Sequence, residues 1–231
     1  MRLSTAKIRK GWMPGLSSLG FRLQGSLFLR NSGALVQAIG AQRNLHSPTW
    51  RANVSICIPD EFVKAPELQV CLSGNVSADG ARCYDDRKSW WPEEDIPVQL
   101  DAILKFGIPW LDHFAESGRL IGLLESAIEQ CTSVAMLLEP KLREPHNKPS
   151  FLKSLLVPGP SALPPVRQPA PNHFYLLSLL YHATDNFEKG CDRALIWFDL
   201  ISKWKSKPPE EPERTLRLLD SMGCKHQGRS S

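Results

Sequence analysis

Hydrophobic and polar positions alternate most strictly between residues 50 and 58 of the chain. The apolar positions of this run are Trp50, Ala52, Val54, Ile56 and Ile58, and the polar ones are Arg51, Asn53, Ser55 and Cys57. Alternation with period two is typical of a β-strand that is buried on one side only. The run therefore predicts a strand that ends at Pro59, which lacks the N–H group that a sheet ladder uses.

Three further runs predict strands around this one. Residues 21–30 predict one continuous strand, residues 34–42 a second and residues 67–77 a weaker one. The apolar residues of the first run, predicted to share one face, are Phe21, Leu23, Leu27 and Leu29. The turn between the first two runs contains Gly33, which can adopt a positive φ. Because this connection is too short for a parallel crossover, we expect an antiparallel sheet of about four strands.

The hydrophobic period becomes helical beyond residue 95. An apolar stripe predicts a helix that begins near Ile96 and is broken at Gly107 and Pro109. A second predicted helix follows around Trp110, and a third begins near Gly118. The predicted fold class is therefore α+β, with helices flanking the antiparallel sheet.

Both ends of the chain also predict helices. Residues 1–20 predict a short amphipathic helix that ends at Pro14 or at Gly20. Near the other end, Thr184-Asp185-Asn186 predicts a turn or an N-cap, and Glu188 stands three residues after Asp185, as in a capping box at a helix start. The apolar stripe of that predicted helix is Ala194, Trp197, Phe198, Ile201 and Trp204. A last short helix is predicted to be capped at Gly223.

Prolines are concentrated between residues 140 and 171, at a density that excludes regular helix. Such a composition suits an extended linker. The chain is therefore predicted to comprise a sheet-and-helix body at residues 1–139, a proline-rich linker at 140–171 and a helical C-terminal subdomain at 172–231. The last part is expected to dock on the body as a helical hairpin, because a single such unit is not stable alone.

Positive charge is concentrated at the start of the chain. Eight lysines and arginines, and no acidic residue, precede Asp60. Arg22, Arg30 and Arg51 lie on the predicted strands, so a polar sheet face carrying them is a candidate site for an acidic partner or for nucleic acid phosphates. The alternative interpretation is a charged outer surface that keeps the sheet soluble.

Trp90 and Trp91, followed by Pro92, are the second candidate contact site. Adjacent aromatic rings can form a platform for a sugar, a base or another ligand. The alternative interpretation, which we favour, is that one tryptophan anchors the core while the other lies at its rim and fixes a loop.

Catalytic and metal motifs are absent from the sequence, and no cofactor is predicted. His113 beside Asp112, and His182 three residues before Asp185, are the only histidine–carboxylate pairs that suggest acid–base chemistry, and neither has a third metal ligand nearby. An enzyme whose site is assembled from distant residues stays open as an alternative.

The six cysteines are at positions 57, 71, 83, 131, 191 and 224, and none forms a CxxC pair. We interpret them as reduced thiols in a cytoplasmic protein. The longest apolar run, near residues 174–181, is far shorter than the roughly 20 residues that span a bilayer, so no membrane association is expected.

Several short pieces, taken in order, resemble a bacterial family of domains of unknown function, the one numbered four-three-zero-four. The resemblance covers residues 16–125 best. Its pieces are Leu19-Gly20-Phe21, Val36-Gln37, Gln42, Pro59, Trp90-Trp91 and the run Gly107-Ile108-Pro109-Trp110-Leu111. It implies an α+β fold with an antiparallel sheet and flanking helices, and it implies no activity and no catalytic residues.

The sequence thus predicts a non-enzymatic protein-interaction domain of bacterial origin. A partner that the domain blocks, as an immunity protein does, is one form of this hypothesis. The alternatives are binding of nucleic acid or an acidic partner through the basic strands, and an enzyme with a site that motifs do not reveal.

Overall fold

A computed structural model describes most of the chain. The described residues are 5–62, 67–83, 89–92, 95–130, 134–138, 172–203 and 210–224. The predicted linker at 140–171 lies outside them, so the predicted division of the chain stays a prediction.

A seven-stranded antiparallel sheet forms the centre of the described residues. Its strands are β1 (Arg22–Gln24), β2 (Leu27–Ser32), β3 (Leu35–Arg43), β4 (Thr49–Asp60), β5 (Glu67–Ser77), β6 (Gly80–Arg82) and β7 (Trp91–Pro92). Strands β1 to β6 lie side by side in chain order, and β7 pairs with β4. The α+β class and the antiparallel order are confirmed, while the predicted number of about four strands is wrong because three short strands were not predicted.

The first predicted strand is in fact a hairpin. Gly25 adopts a φ of +59°, which lets the chain reverse between β1 and β2. The reversal places Leu23 opposite Phe28, so Leu23 lies on the same face of the sheet as Phe28, which is in the main core. Leu27 and Leu29 therefore lie on the other face of the sheet, and the prediction that they share a face with Phe21 is wrong.

Helices cover one face of the sheet. The described helices are α1 (Thr5–Ser18), α2 (Ile96–Ala102), α3 (Ile108–Phe114), α4 (Ser117–Glu129), α5 (Val134–Leu138), α6 (Asn172–Ala183), α7 (Phe187–Ser202) and α8 (Glu211–Ser221). A five-residue π-helix, Ile103–Gly107, connects α2 to α3.

Helix α1 does not end at Pro14. Its buried residues Ile8, Trp12 and Leu16 recur every four positions and face the core. Pro14 is exposed, and the Lys10 carbonyl that it leaves without a helical partner is on an exposed residue, where water can satisfy it. Burial of the stripe therefore outweighs the lost hydrogen bond.

The predicted break at Gly107 and Pro109 is also wrong. Helix continues from α2 through the π-helix into α3, with Pro109 in the first turn of α3. Gly107 is required for a close approach: a Cβ there would lie 3.1 Å from Val76 Cγ2 and 3.3 Å from Val54 Cγ1.

The two predicted caps near the C-terminus have different outcomes. Asp185 adopts a φ of 57°, and the N-cap of α7 is Asn186, which makes no side-chain capping bond. The predicted capping box is therefore absent, because Asp185 belongs to the turn after α6. Gly223 does cap α8: its φ is +69°, and the next N–H, that of Cys224, donates to Leu219 O at 3.0 Å.

One main core joins the sheet to the helices. It contains the inner-facing residues of β2 to β5 together with buried residues of α1, α4, α6, α7 and α8. Within the described helices, none is long and apolar enough to cross a membrane.

A disulfide links Cys191 in α7 to Cys224 just beyond α8. The interpretation of these two cysteines as reduced thiols is therefore wrong; they are 33 residues apart in sequence, a spacing that carries no pairing signal. Cys57 and Cys71 are buried thiols, and Cys131 lies outside the described residues. A cytoplasmic location stays a prediction, although disulfides are more usual in oxidising compartments.

Candidate functional site

The sheet face opposite the main core, here called the outer face, has a small apolar cluster of its own. Val36, Ala38 and Cys57 are buried there, and Leu29 and Leu68 pack against them. All five residues lie on strands, so no helix side chain of the described residues belongs to this cluster. The outer face is therefore apolar at its centre, and no helix among the described residues packs on this cluster.

Three adjoining hollows follow the outer face and together form what we call the outer groove. Their volumes are about 540, 280 and 200 Å³. Leu68 lines the first and the second hollow, while Asn53 and Ser55 line the second and the third. Because residues of β1 and β5 line the same hollow, the sheet is concave on this side.

The charged residues in the described lining of the outer groove are all basic. The described lining of the three hollows contains no aspartate or glutamate. Arg22 lines the first hollow and Arg51 the third, so a cation stands near each end of an apolar and amide-lined floor. The electrostatic potential of such a groove favours a negatively charged ligand.

Arg51 is held in place by its neighbours. Its Nε donates to Gln42 Oε1 at 2.8 Å, and its guanidinium lies 4.6 Å from the centroid of the Trp90 ring. A guanidinium over an indole face is a favourable cation–π arrangement that also fixes the side chain. Arg22, on the short edge strand β1, is exposed.

Arg30 lies on the opposite, helix-covered face. Its Nε donates to Gln37 Oε1 at 2.6 Å, its Nη2 pairs with Asp112 of α3, and its guanidinium lies 4.5 Å from the Phe21 ring centroid. Arg30 also lines the first hollow, but its guanidinium is paired with Asp112 on the helix-covered side. The outer groove therefore contains all three predicted arginines in its lining, with Arg22 and Arg51 near its two ends.

Trp90 and Trp91 are also separated. Trp91 pairs with Trp50 between β7 and β4 and is buried in the main core. Trp90 is half-buried and contacts Arg51 on the outer side. The pair is therefore one anchor and one rim residue, as we favoured, and the two rings do not form a joint platform.

Two of the strand thiols, Cys57 in the outer cluster and Cys71 in the main core, are poor nucleophiles. Burial raises the pKa of the Cys57 thiol to about 11, and burial raises that of Cys71 still further. Both groups are therefore protonated near neutral pH, and the thiolate is the reactive form.

The predicted histidine–carboxylate pairs are not formed as expected. His113 Nδ1 lies 2.7 Å from Arg119 Nη1, while Asp112 pairs with Arg30. The His182 ring packs against the rings of Phe62 and Phe187. In the described part of the chain, no three histidine, cysteine or acidic side chains are grouped so as to hold a metal ion.

A buried polar cluster that the sequence did not reveal ties the end of β4 to the C-terminal helices. The Tyr175 hydroxyl donates to Asp60 Oδ2 at 2.9 Å, and the Phe62 N–H donates to Asp60 Oδ1 at 3.1 Å. Arg214 of α8 lies over the Tyr175 ring, 4.2 Å from its centroid. Asp60 and Tyr175 are both almost fully buried, so we interpret this cluster as structural.

Comparisons with known proteins add no identification, because no family model, curated protein or solved structure matches the chain. The resemblance to the bacterial family therefore stays a prediction. Inference about function rests on the outer groove itself.

Proposed function

We propose that this protein is a non-enzymatic protein-interaction domain that binds an acidic partner protein in its outer groove. The observation that carries the proposal is a concave groove that is apolar at its centre and has no acidic residue in its described lining, with Arg22 and Arg51 near its ends. The proposal agrees with the resemblance to a bacterial family, which implies no activity.

The apolar floor supports a protein partner. Protein–protein interfaces combine an apolar centre with a polar or charged rim. Leu27 and Val70 line the second hollow and remain 36% and 51% exposed, next to the buried cluster. A partner that covers these side chains gains the free energy of removing apolar surface from water.

Charge determines the kind of partner. Two cations flank a floor that carries no anion within the described lining, so acidic side chains on the partner complement both ends. Nucleic acid is a weaker fit, because Arg30 already pairs with Asp112 and an apolar floor offers nothing to phosphates.

The experiment is affinity capture with the tagged full chain at low salt, followed by a high-salt wash and by comparison of two variants. Leu27→Glu places a negative charge in the outer groove, whereas Leu104→Glu places one in the π-helix of the other layer. The two leucines are equally accessible, at 36% and 37% exposure, so both variants should fold.

We expect one protein to be retained stoichiometrically by the wild type and by Leu104→Glu, and to be lost with Leu27→Glu. Equal retention by both variants would place the partner elsewhere and contradict the proposal. Recovery of nucleic acid that the high-salt wash removes would favour the nucleic-acid alternative instead.

A further inference from the structure

Strand β5 has a long edge without a strand neighbour. It pairs with β4 along Glu67–Asn75, but β6 pairs only with Asn75–Ser77. Glu67–Ser73 therefore has no strand beside it on the side away from β4, within the part of the chain that the structure describes. Backbone groups on such an edge can pair with another extended chain.

Strand β4 also has an edge that its neighbour covers only in part, and there a short strand pairs with the remainder. β4 extends to Thr49, whereas β5 reaches along it only as far as Asn53. The short strand β7 occupies the remaining edge, with Thr49 opposite Pro92 and Trp50 opposite Trp91. A short extended segment can thus pair with a strand edge that a neighbouring strand leaves uncovered, as the edge of β5 is among the described residues.

The open edge of β5 adjoins the outer groove. Leu68 lines the first two hollows, and Val70 lines the second while 51% of it is exposed. Cys71 is the extra residue of a bulge, which turns it toward the main core and leaves Leu68 and Val70 on the outer face. The outermost strands β1 and β6 have only three residues each, so they offer much shorter edges.

From this geometry we infer that the partner binds by strand addition: an extended segment of about four to six residues pairs with the open edge of β5. Every second side chain of that segment faces the outer side, where apolar ones contact Leu68 and Val70. Acidic residues of the segment are complementary to Arg22, which shares the first hollow with Leu68. This inference rests on the proposed function and specifies its binding mode.

The test begins with a displayed library of random ten-residue peptides, selected against the full chain. The enriched peptide is synthesised and each of its backbone nitrogens is methylated in turn. Strand addition predicts that methylation weakens binding at alternate positions only, since only every second N–H of an added strand faces β5. Hydrogen exchange of the complex should be slowed at backbone amides within residues 67–72.

Two variants provide a matched comparison, because Val70 and Val98 are both 51% exposed. Val70→Glu places a negative charge on the open edge, and Val98→Glu places the same charge on α2. Because the added segment is acidic and apolar, we expect Val70→Glu to weaken peptide binding at least tenfold and Val98→Glu to leave it unchanged.

Three outcomes would overturn the inference: no enriched peptide, an effect of methylation without the alternation, or equal binding by the two glutamate variants. Slow exchange of residues 67–72 without peptide, together with concentration-dependent dimers, would assign the edge to a second copy of the chain and also overturn it. If Leu27→Glu still abolishes partner capture while these results fail, the groove binds its partner in another way and the proposed function stands.

Discussion

Glycines allow the strands of the sheet to lie close to each other and to the helices that pack on them. Gly74 of β5 is one such position, because a Cβ there would lie 2.9 Å from Arg82 O and 3.3 Å from Trp110 Cζ2. The carbonyl belongs to the backbone of β6 and cannot move aside cheaply. We expect Gly74→Ala to lower the free energy of unfolding by about 1–3 kcal/mol, measured by chemical denaturation.

Gly80 provides the control for this substitution. A Cβ at Gly80 meets nothing within 4 Å, so Gly80→Ala should leave the stability unchanged or slightly raised. Equal destabilisation by the two variants would contradict the role assigned to Gly74.

His173 should make the protein less stable in mild acid. It is 93% buried by area, since 7% of it is exposed, and its Nδ1 has no hydrogen-bond partner. Burial lowers the pKa of His173 below its ordinary value of 6.5. As the pH falls below about 6.5 the unfolded chain binds a proton that the folded protein does not, so stability falls.

The measurement is urea denaturation of the wild type and of His173→Leu at pH 7.5 and pH 5.5. The wild type should lose more stability between the two, by up to about 1.4 kcal/mol per pH unit over the range in which the proton binds only to the unfolded chain. Identical losses would show that His173 does not produce the acid sensitivity.

Among the secondary-structure elements, the contact between β4 and α6 depends on one buried hydrogen bond. The Tyr175 hydroxyl donates to the fully buried carboxylate of Asp60. Tyr175→Phe removes that donor and leaves the buried carboxylate with one hydrogen bond fewer. We expect the free energy of unfolding, measured by chemical denaturation, to fall by about 1–3 kcal/mol.

Tyr181→Phe is the matched comparison. The Tyr181 hydroxyl also donates to a carboxylate, that of Glu125, but Glu125 retains Arg193 at 2.6 Å and its side chain is 21% exposed. We therefore expect a smaller loss of stability than with Tyr175→Phe. A larger loss with Tyr181→Phe would mean that burial does not set the size of the effect.

The accuracy of prediction from the sequence also differed among elements. The run at residues 50–58 predicted the body of β4 well, because a strand buried on one side has a strict period of two. The predicted end at Pro59 is wrong, since β4 continues to Asp60, which pairs with Glu67. The run at 21–30 was wrongly predicted as one strand because apolar residues occur on both sides of the turn, and only Gly25 indicates that the chain reverses there. Strand β7 has two residues, which is too short for any period to show.

The candidate site was predicted only in part for a related reason. Arg51 and Arg22 carry the charge that the sequence indicated, but the sequence cannot assign faces to strands whose register is unknown. Opposite Gln37, Arg30 points to the helix layer and meets Asp112, a residue 82 positions away in the chain. Likewise Leu68 reaches the groove only because the sheet is concave.

For the molecule as a whole, the disulfide should be a major source of stability. It joins Cys191 and Cys224 across a separation of 33 residues and so restricts the unfolded chain. The loop-closure estimate for this length is about 3–4 kcal/mol. We expect reductant to lower the denaturation midpoint correspondingly, and to have no effect on the double variant Cys191→Ala/Cys224→Ala. A midpoint of the wild type that reductant leaves unchanged would contradict this.

Binding in the outer groove requires that the partner meets the outer face of the sheet and not the helix layer. Site-specific photocross-linking measures this directly, with benzoylphenylalanine placed at Leu27 in the outer groove or at Leu104 in the helix layer, positions of equal exposure. Irradiation of the complex should link the partner protein to position 27 and not to position 104. Cross-links from position 104, with none from position 27, would contradict the assignment of the outer groove as the binding site.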